Sequence, residues 1–421
     1  MQRAVRWLIV LFAFCVPWEY SLDLGEPWGN PARLAGLALL LVAIPAMLAR
    51  GRLRNPEALQ WLTAALFLWF CCTAFWSRDL AETLLLLRGY AQEMAIVWIA
   101  WEWVETPEEL RGLLKAILLG SWVLALLTVA DAVGLFGADV AQTRFAAVGQ
   151  DPNDVARFLD FAFPLAALLV TWDNKRLWRL AAIGYFPLGF VAVLLTASRG
   201  GFLTAVVALA GCGILFFRTS FRGMAWIGLA MPVIAAVLWF AMPEATLERL
   251  ATIPAQLAGG DMNQRLNIWE AGWRAFARAP IVGHGAGSFV AAAGVAEGDT
   301  AHNTALALAV EDGIVGVGVM TWILVILLRE SWSLVGSLRI ALLSSLAVWC
   351  VSSLAGTLAE SRMTWLIFSL IAVAGRLGRE EKHSIGLPAQ RCGLTVDFSR
   401  ASGPTPNECA MGGSEDAGGV V

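Results

Sequence analysis

Leu34-Ala35-Gly36-Leu37-Ala38-Leu39-Leu40-Leu41-Val42-Ala43-Ile44-Pro45-Ala46-Met47-Leu48-Ala49 runs between Arg33 and Arg50 without a charge. A helix of about 20 mostly apolar residues is long enough to cross a bilayer. The apolar residues here are continuous and do not alternate, so the stretch reads as a spanning helix and not as a barrel strand. Runs of the same kind, bounded by charge or by Pro and Gly, recur along the chain. They predict twelve spans, near 4–20, 33–49, 58–77, 84–104, 112–134, 155–172, 180–198, 201–217, 224–242, 302–328, 340–358 and 361–375. Composition agrees: of 421 residues, 58% are hydrophobic and 15% charged, against about 25% charged in soluble domains. Twelve helices of about 20 residues need about 240 apolar positions, close to the total this chain holds. The predicted fold is all-α and polytopic, and a soluble globular enzyme is excluded.

The division that follows is four-part. Residues 1–242 carry spans one to nine, 243–301 form one long outer loop, 302–375 carry spans ten to twelve, and 376–421 form a polar tail. The tail has no periodicity and is expected to be disordered. Pro45, Pro164, Pro187 and Pro232 fall inside spans, where neighbouring helices re-satisfy the freed backbone groups. The basic start and apolar run of the first twenty residues lack a small-residue cleavage site and read as a first membrane helix. The long loop occurs once, and no internal repeat is visible.

Orientation follows from the Lys and Arg bias of short loops. With the N-terminus inside, fourteen basic residues fall in inside loops and six outside. Both termini are then cytoplasmic. The six outside arginines are Arg33, Arg78, Arg144, Arg157, Arg199 and Arg362. Several sit at helix ends, where charge bias alone would not put them. The net charge of −3 points to no nucleic-acid partner, and the seven cysteines have no CxxC spacing, so neither a disulfide framework nor a metal site is expected.

Within the long loop, Gln264–Arg278 reads as an amphipathic helix with Leu266, Trp269, Trp273 and Phe276 on one face, lying at the outer interface. Asp261 or Asn263 would cap it, and Pro280 with Gly283-His284-Gly285-Ala286-Gly287 would end it. The glycine run reads either as a phosphate cradle or as a sharp turn, and His284 as structural.

The residues able to carry chemistry gather on the outer side. Arg199, in Ser198-Arg199-Gly200-Gly201, presents a planar fork suited to phosphate; the alternative is an interfacial Arg snorkelling to lipid. Arg265 begins the loop helix, whose positive end also favours an anion; the alternative is a solvated face. His302 is placed to take a proton from a hydroxyl, or simply opens a helix with Asn303 as cap. Glu311 and Asp312 lie three turns on, and Glu311 is either a pairing group or part of a break at Gly313. In Asp151-Pro152-Asn153-Asp154 the turn and helix-start reading is strong, while Asn153, Asp154 and Arg157 remain candidates to face a sugar or phosphate. Arg88 is a weaker candidate of that sort. Clustered Arg without an acidic ligand set suits a diphosphate that is bound and then released as a leaving group.

At these residues the chain resembles the O-antigen ligase and polymerase superfamily of bacterial membrane glycosyltransferases. The resemblance rests on Asp151-Pro152-Asn153, Ser198-Arg199-Gly200, Arg265 with Trp269, Pro280 to Gly285, His302-Asn303, and Glu311-Asp312-Gly313 with Gly316. It implies a GT-C-type fold of twelve helices with a large periplasmic loop, in the bacterial inner membrane, with the active site facing the periplasm. It also implies metal- and cofactor-independent transfer of a glycan from an undecaprenyl-diphosphate carrier to an acceptor hydroxyl on lipid A core or another surface glycan. Arg199 and Arg265 match the family's diphosphate-binding arginines, and His302 matches its base. Polysaccharide polymerases and protein O-oligosaccharyltransferases share the motifs. A transporter or flippase is the rival of another class; charges at one face and the lack of a repeat argue against it.

Overall fold

The computed structural model describes residues 1–25, 28–136, 144–219, 248–249, 251–257, 265–296 and 298–384. Its regular elements are helical. They are α1 Gln2–Cys15 with a 3-10 extension Val16–Ser21, α2 Pro31–Arg50, α3 Ala58–Thr73, α4 Leu80–Trp103, α5 Pro107–Ala132, α6 Pro152–Trp172, α7 Arg176–Leu195 and α8 Arg199–Thr219. After these come short α9 Ile253–Leu257, α10 Arg265–Arg278, short α11 Phe289–Ala293, α12 Thr304–Ser333, α13 Gly336–Ser353 and α14 Arg362–Ser384.

Among the described residues, eight stretches are long and apolar enough to cross a membrane: Gln2–Ser21, α2, α5, α6, α7, α8, α12 and α13. This is a multi-helix membrane protein. Three further expected spans are helices that differ from this pattern. α3 is apolar but only 16 residues long, α4 carries Glu82, Arg88, Glu93 and Glu102, and α14 ends in a charged run. The expected span 224–242 and the caps at Asp261 and Asn263 lie outside the described residues. The helix of the last expected span runs on past 375, through Arg376, Arg379 and Glu380, to Ser384. Arg376 donates to the Val104 carbonyl, and Arg379 pairs with Glu57 at 2.5 Å, so these polar residues have partners and the helix continues.

α6 is the axis of the bundle, packed against α5, α7, α8 and α13. Every residue from Val155 to Leu169 is buried. The first turn of this helix therefore holds Asn153, Asp154 and Arg157 at the mouth of the core. At the other end of the bundle the charges neutralise one another. Arg6 pairs with Glu105 and Glu109, both at 2.6 Å, and Arg50 pairs with Glu102 at 3.2 Å and Glu105 at 2.8 Å.

α12 is broken at Gly313, whose φ of 65° and ψ of −165° leave the helical region. The break frees backbone groups that the loop after α10 re-satisfies. His284 N donates to the Val310 carbonyl at 3.0 Å, Gly285 N to the Glu311 carbonyl at 2.8 Å, and Ile314 N to the Pro280 carbonyl at 2.9 Å. The glycine run is therefore a backbone splint and not a phosphate cradle: Ala286 N is also taken, by Thr73 Oγ1 at 3.1 Å. His284 is structural, its Nε2 against the Ala275 carbonyl at 2.8 Å. A Cβ at Gly313 would collide with the Ile281 carbonyl, and its dihedrals suit only glycine. Gly313→Ala is expected to cost about 1–3 kcal/mol, seen as a lower thermal midpoint of the detergent-solubilised protein.

α10 packs chiefly through small residues. Ile268, Gly272 and Ala275 are buried, while Leu266 and Trp273 are 47% and 58% exposed. The buried ridge is made of small residues because the helix lies close on α12 and α11: a Cβ on Gly272 would stand 3.0 Å from Leu306 and 3.2 Å from Phe289. Trp269 reaches the same side and donates its Nε1 to the Ala301 carbonyl at 2.9 Å.

Candidate functional site

The first turn of α6, the turn into α8, the start of α10 and the entry to α12 meet at one end of the bundle. Asp151 caps α6 by accepting from Asn153 N at 2.7 Å. Asn153 Oδ1 then accepts twice, from Arg144 Nη2 at 2.8 Å and from Ser198 Oγ at 2.9 Å. Arg144 Nε also donates to the Thr196 carbonyl at 3.1 Å, and Gly201 N donates to Ser198 Oγ at 3.1 Å. This lattice fixes the turn that launches Arg199. The turn is tight: Ala197 has φ 48°, and a Cβ on Gly201 would collide with that of Ala156.

Arg157, one turn below Asn153, is buried. It donates Nη1 to the Ala355 carbonyl at 3.1 Å and pairs with Asp154. Arg265 opens α10 beside it. Asn153, Arg157, Ser198, Thr204, Arg265 and Ser352 border a cavity of about 20 Å³, room for about one water. Anything larger must engage these side chains from the open face.

His302 has φ 45°. It and Ala197 are the two non-glycine residues with positive φ among the described residues, and both flank this corner. Such strain costs about 1–3 kcal/mol per residue and concentrates where function requires it. The His302 Nδ1 lies 3.2 Å from Thr300 Oγ1.

The electrostatics bind these groups into one field. Burial, then Arg265 and Arg157, push the His302 imidazole below its ordinary value of 6.5. Burial and Arg199 depress the Arg265 guanidinium against the opposing pull of Asp151. Burial, then Arg249, with Arg265 and Arg199 behind it, depress Arg144. Burial and Arg199 depress Arg249. Like charges held together in this way favour an anion of more than one charge.

Of the residues singled out in the sequence, Arg199, Arg265, His302, Arg157, Asn153 and Asp154 come together here. Asn303 does not turn toward the cluster; it caps α12, accepting from Leu306 N at 3.0 Å. Glu311 is buried at the break in α12 and accepts from Phe289 N at 3.2 Å, away from the arginines. Arg88 is exposed on α4, and no described contact joins it to the cluster. Sequence reasoning missed Arg144 and Arg249. The signal for Arg144 was its place among the outside arginines that defy the charge bias. Arg362, another of these, is answered by buried Glu19 at 2.5 Å.

Residues 184–321 match the family model of the O-antigen ligases. That segment, about a third of the chain, is similar to the O-antigen ligases. The matched segment holds Arg199, Arg265 and His302, while Arg144, Asn153, Asp154 and Arg157 come from outside it. No curated protein matches the chain.

Proposed function

We propose that this protein is an inner-membrane glycosyltransferase. It moves a glycan from an undecaprenyl-diphosphate carrier to an acceptor hydroxyl at the periplasmic face, as ligase or polymerase. The reading is carried by the convergence of Arg199, Arg265 and His302 from three separate elements on one corner, inside a segment that matches the O-antigen ligases. Both termini would lie in the cytoplasm, with the long loop outside.

Arg199 and Arg265 hold the diphosphate in this reading, with Arg144 and Arg249 enlarging the field. As the acceptor oxygen attacks C1, the C1–O bond to the carrier breaks and the diphosphate leaves with the electron pair. Charge grows on that leaving oxygen, so fixed cations bind the transition state more tightly than the ground state. His302 takes the hydroxyl proton. In the tautomer that donates Nδ1–H to Thr300, Nε2 carries the free lone pair. No step of this chemistry calls for a metal or cofactor.

The test is mass spectrometry of products from the purified protein in liposomes, given a lipid-diphosphate-linked glycan and candidate acceptors. A covalently extended acceptor with release of carrier diphosphate supports the proposal. Solute crossing the bilayer with no covalent change identifies a transporter instead. Asn153→Asp puts a carboxylate between Arg144 and Ser198, where it competes with the diphosphate for Arg144. Donor KM is expected to rise about tenfold with kcat nearly unchanged, in steady-state kinetics against donor concentration.

A further inference from the structure

A second, larger cavity of about 750 Å³ opens beside the arginine corner, well inside the range of small-molecule sites. Its wall comes from Asp79 and Glu82 at the start of α4, Glu311 of α12, Thr357 and Glu360 after α13, and Thr300. Among the described residues, no lysine or arginine lines it. Two segments separate it from the cationic corner. Thr300 stands in its wall and touches the His302 imidazole. Thr304 Oγ1 ties the segments together, donating to the Gly356 carbonyl at 2.7 Å and accepting from Leu358 N at 2.9 Å. Arg157 holds the far side of the same wall through the Ala355 carbonyl. The imidazole thus sits at the junction of a basic corner and an acidic cavity.

We propose that this acidic cavity receives the acceptor as an uncharged carbohydrate end and disfavours phosphorylated ones. The proposal rests on the glycosyl-transfer reading above. Ionised carboxylates only accept hydrogen bonds, so they suit sugar hydroxyls, and bonds to charged groups are the stronger kind. Thr357 lines the cavity, and its Oγ1 is buried without a partner. Among the described residues no three His, Cys, Asp or Glu side chains gather closely enough to hold a metal ion, which favours hydroxyls over a bound cation. A phosphate here would meet like charges, a repulsion that gives specificity.

The experiment uses the full-length protein in nanodiscs and saturation-transfer NMR. The probes are glucose-, galactose- and N-acetylglucosamine-terminated oligosaccharides and their terminal 6-phosphates. At least one neutral probe is expected to bind, its phosphorylated twin at least about tenfold more weakly. Glu82→Gln with Glu360→Gln should weaken neutral binding about tenfold and shrink the discrimination to within about threefold. Absence of neutral binding, equal binding of both twins, or wild-type behaviour of the double variant overturns the proposal. Binding of an undecaprenyl-diphosphate glycan is measured in parallel, and its retention shows that the double variant is folded. Donor binding that ignores Arg199→Ala and Arg265→Ala sinks the transfer reading and this proposal with it. Donor binding that needs both arginines, with negative sugar results, removes the acidic-cavity proposal alone.

Discussion

Replacing His302 with alanine is expected to cut glycan transfer about 10²- to 10⁴-fold, the usual contribution of a positioned base, while donor binding stays within a few-fold. The pH dependence gives a second readout. A base works only when deprotonated, so kcat/KM rises as pH passes upward through the His302 pKa. Burial, Arg265 and Arg157 depress that pKa below 6.5, because each disfavours the imidazolium. The acid limb of kcat/KM, which reports the free enzyme, should therefore have its midpoint below 6.5 and be flat through neutrality. A midpoint above that value, or an alanine variant with the wild-type rate, removes His302 from the role of base.

Loss of either fork of the cationic corner comes next. Arg199→Ala and Arg265→Ala are each expected to lower kcat about 10²- to 10³-fold, the range for removing one preorganised partner of a developing oxyanion. Lysine should rescue poorly, since its point charge cannot reproduce a bidentate fork. The two losses should not add, since burial and shared charge already couple Arg265 to Arg199. The checks are single-turnover transfer with the carrier-linked donor and the amount of protein recovered in the membrane. If the Arg265 variant inserts normally and transfers at wild-type rate, the diphosphate does not sit at this corner.

The sequence made the membrane helices legible because uninterrupted apolar runs such as Leu34–Ala49 leave no other stable arrangement in lipid. It marked Arg199 as unusual, since charge bias alone does not place arginines at outer helix ends, and Arg265 as the first turn of a loop helix whose positive end favours an anion. What it concealed was contact between distant elements. The large apolar residues of α10 placed it at the outer interface, but did not show that close approach to α12 would make Gly272 and Ala275 its packed ridge. The glycine run left a phosphate cradle or a sharp turn open, and its amides serve the break at Gly313, a break that Glu311-Asp312-Gly313 offers as one reading. Arg144 joins the corner only because Asn153 and the Thr196 carbonyl hold it there, a pairing that folding alone creates.

The bond from Trp269 to the Ala301 carbonyl has a mechanical consequence. It anchors α10 one residue before His302, and the splint at Gly313 anchors the other end of the same loop to the same membrane helix. Arg265 and His302 are therefore parts of one strut. For this loop to swing like a hinged flap, several backbone bonds would have to rupture together with the indole clasp. A scaffold so braced holds the Arg265 guanidinium and the His302 imidazole at a set separation before any ligand arrives, so the proposed transfer would need little rearrangement.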